Sequence, residues 1–246
     1  MVENKKLNSG PTTYEDWYSL GYTLIPCDGS RPVVSWRDED FNITKEEWKS
    51  KYLDRSLGLR LDTLIDFDVD HPRAKAFAEK WLGGCDAVFG RDHKPTSHYM
   101  WKGKLPNQKF EMPSDLEKYV QFADHGSCLT EIRNGSGQFT IVPGSIHSKN
   151  PEPVRWERYN GFTEYAGDLN KILRKITLAT ALSLLYAVKG QRDEYCTAIA
   201  GILIKNTDWD DKEINDFIYQ IALVSHDDEA ENRQNKGSST RNSKRQ

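Results

Sequence analysis

The chain has 246 residues, enough for one large domain or two small ones. Hydrophobic residues make up 37% and charged residues 29%, which fits a folded, soluble protein and excludes a mostly disordered chain. The formal net charge of -3 excludes a uniformly basic nucleic-acid binder, so any such contact must come from local basic patches.

The four cysteines, Cys27, Cys85, Cys128 and Cys196, are widely spaced and form no CxxC pair. That argues against a zinc ribbon or a disulfide framework and fits a reducing compartment. The N-terminus lacks an apolar core of the kind a signal peptide carries. The longest apolar-rich stretch, 178–188, is too short to span a bilayer. A cytoplasmic protein with no membrane partner is expected.

In chain order, residues 1–11 are expected to be disordered. Thr12 followed by Glu15 has capping-box spacing and predicts a short helix that stops at Gly21. Residues 22–26 read as a strand, and Asp28, Gly29, Ser30 and Pro32 mark a loop. Thr44 with Glu47 repeats the capping spacing and opens a helix to about Leu53. One or two strands are expected over 57–70. Pro72 suits the first turn of a helix running to about Leu82. Apolar runs follow at 87–89 and 98–101. Residues 129–133 and 138–142 read as strands, and Asn134-Gly-Ser-Gly137 between them predicts a hairpin turn. Beyond residue 165 the pattern becomes helical, over 169–188, 193–205 and 211–224, with Asp210 as an N-cap. The expected division is a catalytic domain over 12–165, a helical bundle over 166–232 and a basic, disordered tail or linker over 233–246.

The segment Ile65-Asp-Phe-Asp-Val-Asp70 alternates strictly. A strand there puts Ile65, Phe67 and Val69 on one face and Asp66, Asp68 and Asp70 on the other, with same-face residues roughly 6–7 Å apart. Asp is depleted in strands, and like charges on one face repel unless cations lie among them. One reading is a half-exposed strand with solvated carboxylates. The functional reading is a site for Mg²⁺ or Mn²⁺, hard ions that favour carboxylate oxygens and support phosphoryl transfer. Asp70, beside His71-Pro72, ranks below the other two as a ligand. Glu131 is the best candidate for a carboxylate from elsewhere; it shares its strand face with Arg133, so an ion pair on an exposed hairpin is the alternative. Between the two acidic segments lie Lys94 and His98, groups that donate to phosphate oxygens, with a structural role for His98 as the alternative. Ser145 and His147, around the Gly144 turn, form a further pair, with a tight-turn role alone as the equal alternative.

A strand with Asp-x-Asp, then Thr96-Ser-His98, then an acidic residue on a later strand resembles the three-part pattern of the archaeo-eukaryotic primase superfamily. More closely, the chain resembles the bifunctional primase-polymerase domains of phages and plasmids. Gly21-Tyr-Thr-Leu-Ile-Pro26, Arg31-Pro32 with Trp36, and Gly58-Leu-Arg-Leu match, as does the run from Glu131-Ile-Arg-Asn through Ile141-Val-Pro-Gly-Ser-Ile-His147, with Trp156 after it. The match spans roughly residues 14–160. Gly190-Gln-Arg-Asp-Glu-Tyr with Ala198-Ile-Ala-Gly201 resembles the helical domain that follows such catalytic domains. The sequence departs from the family in three places: Thr96 where Ser is usual, Glu131 where Asp is frequent, and Pro143-Gly144 where relatives carry Pro-Pro.

The resemblance implies an α+β fold, a mixed-sheet primase-type catalytic domain followed by a small all-α bundle. It implies Asp66, Asp68 and Glu131 as ligands of Mg²⁺ or Mn²⁺, and His98, Lys94, Arg91, Ser145, His147 and Arg133 as contacts to a nucleotide. The implied activity is primer synthesis or extension on a single-stranded DNA template from NTPs or dNTPs, with a helicase as partner in cis or in trans. No GxxxxGK[ST] motif lies within these residues. A two-metal nuclease, a non-catalytic replication-initiation module and a glycosyltransferase are the rival readings of the same acidic pattern.

Overall fold

The computed structural model describes residues 10–114, 116, 127–147 and 151–243. Its architecture is α+β. In chain order the elements are α1 (Tyr14–Ser19), β1 (Leu24–Asp28), β2 (Arg31–Pro32), α2 (Lys45–Lys51), β3 (Ser56–Asp68), α3 (Pro72–Leu82), β4 (Ala87–Arg91), β5 (Lys94–Lys102), β6 (Gln108–Glu111), β7 (Cys128–Ile141), β8 (Arg155–Tyr159), α4 (Leu169–Leu184), α5 (Arg192–Asn206), α6 (Asp211–Val224), a 3-10 turn (Ala230–Arg233) and α7 (Lys236–Ser243). Among the described residues no helix is long and apolar enough to cross a membrane.

The chain forms two compact units, one from residues 1–70, 82–110 and 130–171, the other from 71–81, 111–129 and 172–246. This differs from the single cut expected near residue 166. The reason lies in α3. Trp81 stacks on Phe77 at 5.4 Å and on Phe217 of α6 at 6.0 Å, and the Lys175 ammonium lies 4.5 Å from the Trp81 ring centre. Those contacts tie α3 to the later helices, although its sequence lies among the strands.

The first unit holds the sheet, ordered β2-β1-β3-β5-β4-β8, with β7 also on β3 and β6 on β7. All the strand registers defined in it are antiparallel, so the mixed sheet expected from the sequence is not formed. Short connections such as Gly29-Ser30 and Asp92-His93 join neighbouring strands directly and favour that arrangement. A parallel bridge, Lys102 to Glu164, lies outside the named strands.

β3 is the spine. Its first half pairs with β1 and β7, its second half with β5 and β7. Leu59, Leu61 and Leu64 are fully buried and pack with Trp17, Trp48, Phe89 and Met100 in the main core. Each such side chain stabilises the fold by about 1.5–3 kcal/mol through burial. Gly10 and Pro11 join this packing. A Cβ on Gly10 would lie 2.6 Å from the Trp156 ring nitrogen, and that nitrogen donates to the Pro11 carbonyl at 3.0 Å. These two residues are therefore ordered, while 1–9 of the expected disordered terminus lie outside the described residues. The cap of α1 is Thr13 rather than Thr12, in a capping box with Asp16. Thr44 caps α2 as its spacing suggests, accepting from the Glu47 N–H at 3.1 Å.

The expected hairpin around Asn134-Gly-Ser-Gly137 is also not formed. Residues 128–141 are one strand, β7, running along β3 in both halves. Leu61 pairs with Gly135 and Ile65 with Asn134, so residues 62–64 bulge out of β3 opposite adjacent residues of β7. Asn134 fills that bulge: its amide donates to the Leu64 and Gly103 carbonyls at 2.6 and 3.2 Å, and its oxygen accepts from the Leu105 N–H at 3.2 Å. Gly135, at φ 89, supplies the local backbone kink. What read as turn chemistry is the lock of a bulge.

In the second unit α6 starts at Asp210, in a capping box with Glu213. The tail expected to be disordered from 233 is ordered through Ser243. Arg233 is 4% exposed and donates to Asp227, Asp193 and Glu229 at 3.1, 2.9 and 3.0 Å. Residues 244–246 lie outside the described residues. Composition misled here because Arg233, Lys236 and Arg241 have acidic partners in Asp193, Asp211, Asp227 and Glu229.

Candidate functional site

Register brings the three acidic and basic segments together. Asp68 of β3 faces His98 of β5 on one side and Glu131 of β7 on the other. Directly opposed residues in antiparallel strands project to the same face, with Cβ atoms about 4.5–5.5 Å apart. His98, Asp68 and Glu131 therefore form one row across three strands. One step back, Asp66 faces Arg133.

Local backbone features aim His98 into that row. Thr96 has φ 50, uncommon for a β-branched residue, and opposite it Gly90 leaves no room for a Cβ, which would lie 2.8 Å from the Thr96 nitrogen. The register shift between Phe89 and Arg91 absorbs the extra residues of β5. The Ser97 carbonyl accepts from the Val69 N–H at 2.8 Å, fixing the end of β3 beside this bulge. The His98 ring then stacks on Phe89, centres 4.5 Å apart and planes 6° from parallel.

The Arg133 guanidinium sits among the carboxylates. It lies 3.0 Å from Asp66, 2.6 Å from Asp68 and 3.8 Å from Glu131. His98 Nδ1 lies 3.1 Å from Asp66 Oδ1. Asp66 is fully buried, and these two cations compensate its charge. Burial works against the charged form of His98, but the Asp66 and Asp68 charges outweigh it and push the imidazole above its ordinary range. Burial also raises Glu131, which Arg133 only partly offsets. In Asp68 burial prevails over the nearby His98 and Arg133 and raises the carboxyl. In Asp66 those same two cations prevail over burial and hold it low.

Beside the row opens a cavity of about 240 Å³. Asp68, His98 and Arg133 line it, with Arg91, Lys94 and His147 on its basic side. Lys94 is held by Asp70, whose carboxylate accepts from the ammonium at 2.7 Å. Arg91 and His147 are in contact through Nη1 and Nδ1. The candidates Asp66, Asp68, Glu131, His98 and Arg133 are thus assembled around one guanidinium, and Arg91, Lys94 and His147 join Asp68 and His98 at the cavity.

Ser145 is not among them. Its hydroxyl is buried, accepts from the Leu57 N–H at 2.8 Å and lies 3.3 Å from the Leu57 carbonyl. That hydroxyl ties the loop after β7 to the start of β3, in keeping with the tight-turn alternative. Asp70 belongs to the site as the partner of Lys94, a role its place at the strand end concealed. Asn134, Thr140 and Ser30 carried no signal: Asn134 sits in an apparent turn motif, and the other two reach the cavity only through register and the β1–β2 turn.

Among the described residues, no three His, Cys, Asp or Glu side chains are grouped so as to hold a metal ion as they stand. The donor set nevertheless fits a divalent ion in chemistry. Hard carboxylate oxygens of Asp66 and Asp68 meet at Arg133 Nη2, and Glu131 approaches the Nε of the same guanidinium at 3.8 Å, so the Arg133 cation stands where these carboxylates come nearest one another. Comparison of the chain with family models, with curated proteins and with solved structures finds no match.

Proposed function

We propose that the first unit is a nucleotidyltransferase of the primase-polymerase kind, with a primase-type fold, acting on a single-stranded DNA template. The observation that carries this is the row His98–Asp68–Glu131, in which three segments far apart in sequence become cross-strand neighbours beside a basic cavity. A carboxylate cluster facing Arg91, Lys94, His98 and His147 suits a polyanion delivered to a transfer site better than an acidic surface that is merely solvated.

In this reading Lys94, Arg91, His98 and His147 bind and orient the triphosphate of an NTP or dNTP. The 3′-oxygen of the growing strand forms a bond to the α-phosphorus. The bond from that phosphorus to the leaving pyrophosphate breaks, and pyrophosphate departs with the electron pair. The hydroxyl proton leaves to solvent water. Mg²⁺ or Mn²⁺ held by Asp66, Asp68 and Glu131 would neutralise triphosphate charge and acidify the attacking hydroxyl. Arg133, already on those oxygens, compensates their charge before substrates arrive. The four cysteines are free thiols, which suits a reducing cytoplasm, of a bacterium or a phage-infected host. A helicase, fused or in trans, would supply the single strand.

The test is extension of a primed single-stranded DNA in Mn²⁺. Asp68→Asn and Glu131→Gln keep shape and remove charge. Each is expected to cut extension by roughly 100-fold or more, the equivalent of several kcal/mol of lost charge stabilisation. Thermal melting checks that both variants stay folded. Undiminished extension by either folded variant would overturn the assignment. Strands that shorten without added nucleotides would instead identify a nuclease.

A further inference from the structure

A second cavity, of about 310 Å³, lies on the other side of Arg133. Both cavities are lined by Ser30, Arg133, Thr140 and Ile141, so they adjoin along a shared wall. Their chemistry differs sharply. The first carries His98, Lys94, Arg91 and His147 beside Asp68 and Asp70. The second is walled by Trp36, Phe139 and the Arg37 guanidinium, with Glu131 and Gln138. Trp36 and Phe139 meet edge to face at 5.2 Å, and Arg37 lies 5.4 Å from the centre of the Trp36 ring.

An elongated ligand matching the two adjoining cavities has a polyanionic end and a planar aromatic end, joined by a polar linker. The geometry points to a nucleoside triphosphate lying across Arg133, its phosphates in the first cavity and its nucleoside in the second. The base meets the Trp36–Phe139 wall and the Arg37 guanidinium plane, surfaces that attract any base through its π-face. The sugar lies between, near Glu131 and Gln138, where its hydroxyls have an acceptor and an amide within the lining. This gives Trp36, so far without a functional role, a place in binding. It rests on the nucleotidyl-transfer reading and adds the base and sugar site to it.

Gly137 also lines the second cavity, and a Cβ there would meet nothing within 4 Å, so the wall is open at that point. A wall that is open there and is built of an aromatic pair and a guanidinium plane is suited to accept all four bases, as a templated enzyme requires.

Equilibrium binding in Mn²⁺, without template and therefore without turnover, tests this with two probes: dATP, and inorganic tripolyphosphate as the phosphates alone. The unmodified chain is expected to bind dATP at least about ten-fold more tightly than tripolyphosphate. Arg37→Ala, at an exposed position that does not endanger the fold, is expected to remove most of that difference while tripolyphosphate affinity stays within about two-fold. Trp36→Phe should remove a smaller part, and Lys94→Ala should weaken both probes. Equal binding of dATP and tripolyphosphate by the unmodified chain, or no effect of Arg37→Ala on dATP, would overturn the inference while leaving the transfer reading standing. If Arg37→Ala weakened only a single-stranded oligonucleotide, the second cavity would belong to the strand end instead, and the inference would also fall. Failure to bind either probe would overturn the transfer reading itself.

Discussion

Arg133 is the residue on which the charge balance of the site turns. Asp66 is fully buried, and Arg133 and His98 supply its compensating charges. Removing one partner of a buried pair leaves an uncompensated charge, so Arg133→Ala is expected to destabilise the fold by about 3 kcal/mol or more. Adding Asp66→Asn should recover a large part of that loss, because the orphaned charge is gone. Chemical denaturation of the single and double variants measures both quantities. No recovery in the double variant would show that Arg133 stabilises the sheet by packing rather than by charge. The sequence placed Arg133 beside Glu131 or a phosphate; its shorter contacts are to Asp66 and Asp68, because β7 lies against β3 in a register no local pattern encodes.

At the scale of elements, the end of the chain is held by one buried carboxylate. Asp227 lies between α6 and the 3-10 turn and is 7% exposed. It accepts from Tyr186 at 2.7 Å, Arg192 at 2.9 Å, the Glu229 N–H at 3.0 Å and Arg233 at 3.1 Å. Burial alone would raise its pKa; these four donors outweigh burial and hold it down to about 2. A carboxylate depressed in the folded state contributes stability that is complete above its unfolded value, near 4, and is lost as pH falls toward 2. The expected loss over that window is on the order of 2 kcal/mol. Asp227→Asn should lower stability at neutral pH and flatten this acid limb. An acid limb unchanged from the parent chain would remove Asp227 from the account. The turn and α7 follow from this network and from Gly237, where a Cβ would lie 2.9 Å from Ile214 and Asn215. Arg192, at the start of α5, is likewise engaged with Asp227 and with Asp228 at 2.6 Å.

At the scale of the whole molecule, the second unit is discontinuous in sequence. It draws α3 from among the strands, and Trp81 stacks on Phe217 within it. A fragment ending at residue 165 therefore carries α3 without the helices that pack on Trp81. Such a fragment is expected to expose this apolar surface, bind a hydrophobic dye and aggregate, whereas a chain through Ser243 does neither. A monomeric, dye-silent fragment with a sharp melting transition would show that the strands and α3 suffice alone.

Some of this was determined by the sequence alone. Strict alternation from Ile65 to Asp70 put Asp66 and Asp68 on a common face, and periodicity with the Asp210–Glu213 spacing located α6, because both signals are local and arise from backbone geometry. The same local chemistry misassigned Asn134-Gly-Ser-Gly137, since a bulge and a hairpin use the same permissive residues and only the partner strand distinguishes them. Only the tertiary structure decided that His98, Asp68 and Glu131 share one row, that Arg133 lies among the carboxylates, and that Trp36 walls a cavity that Arg133 also lines. Register, bulges and cavity walls are set by pairings between residues tens of positions apart, and no window along the chain contains both partners.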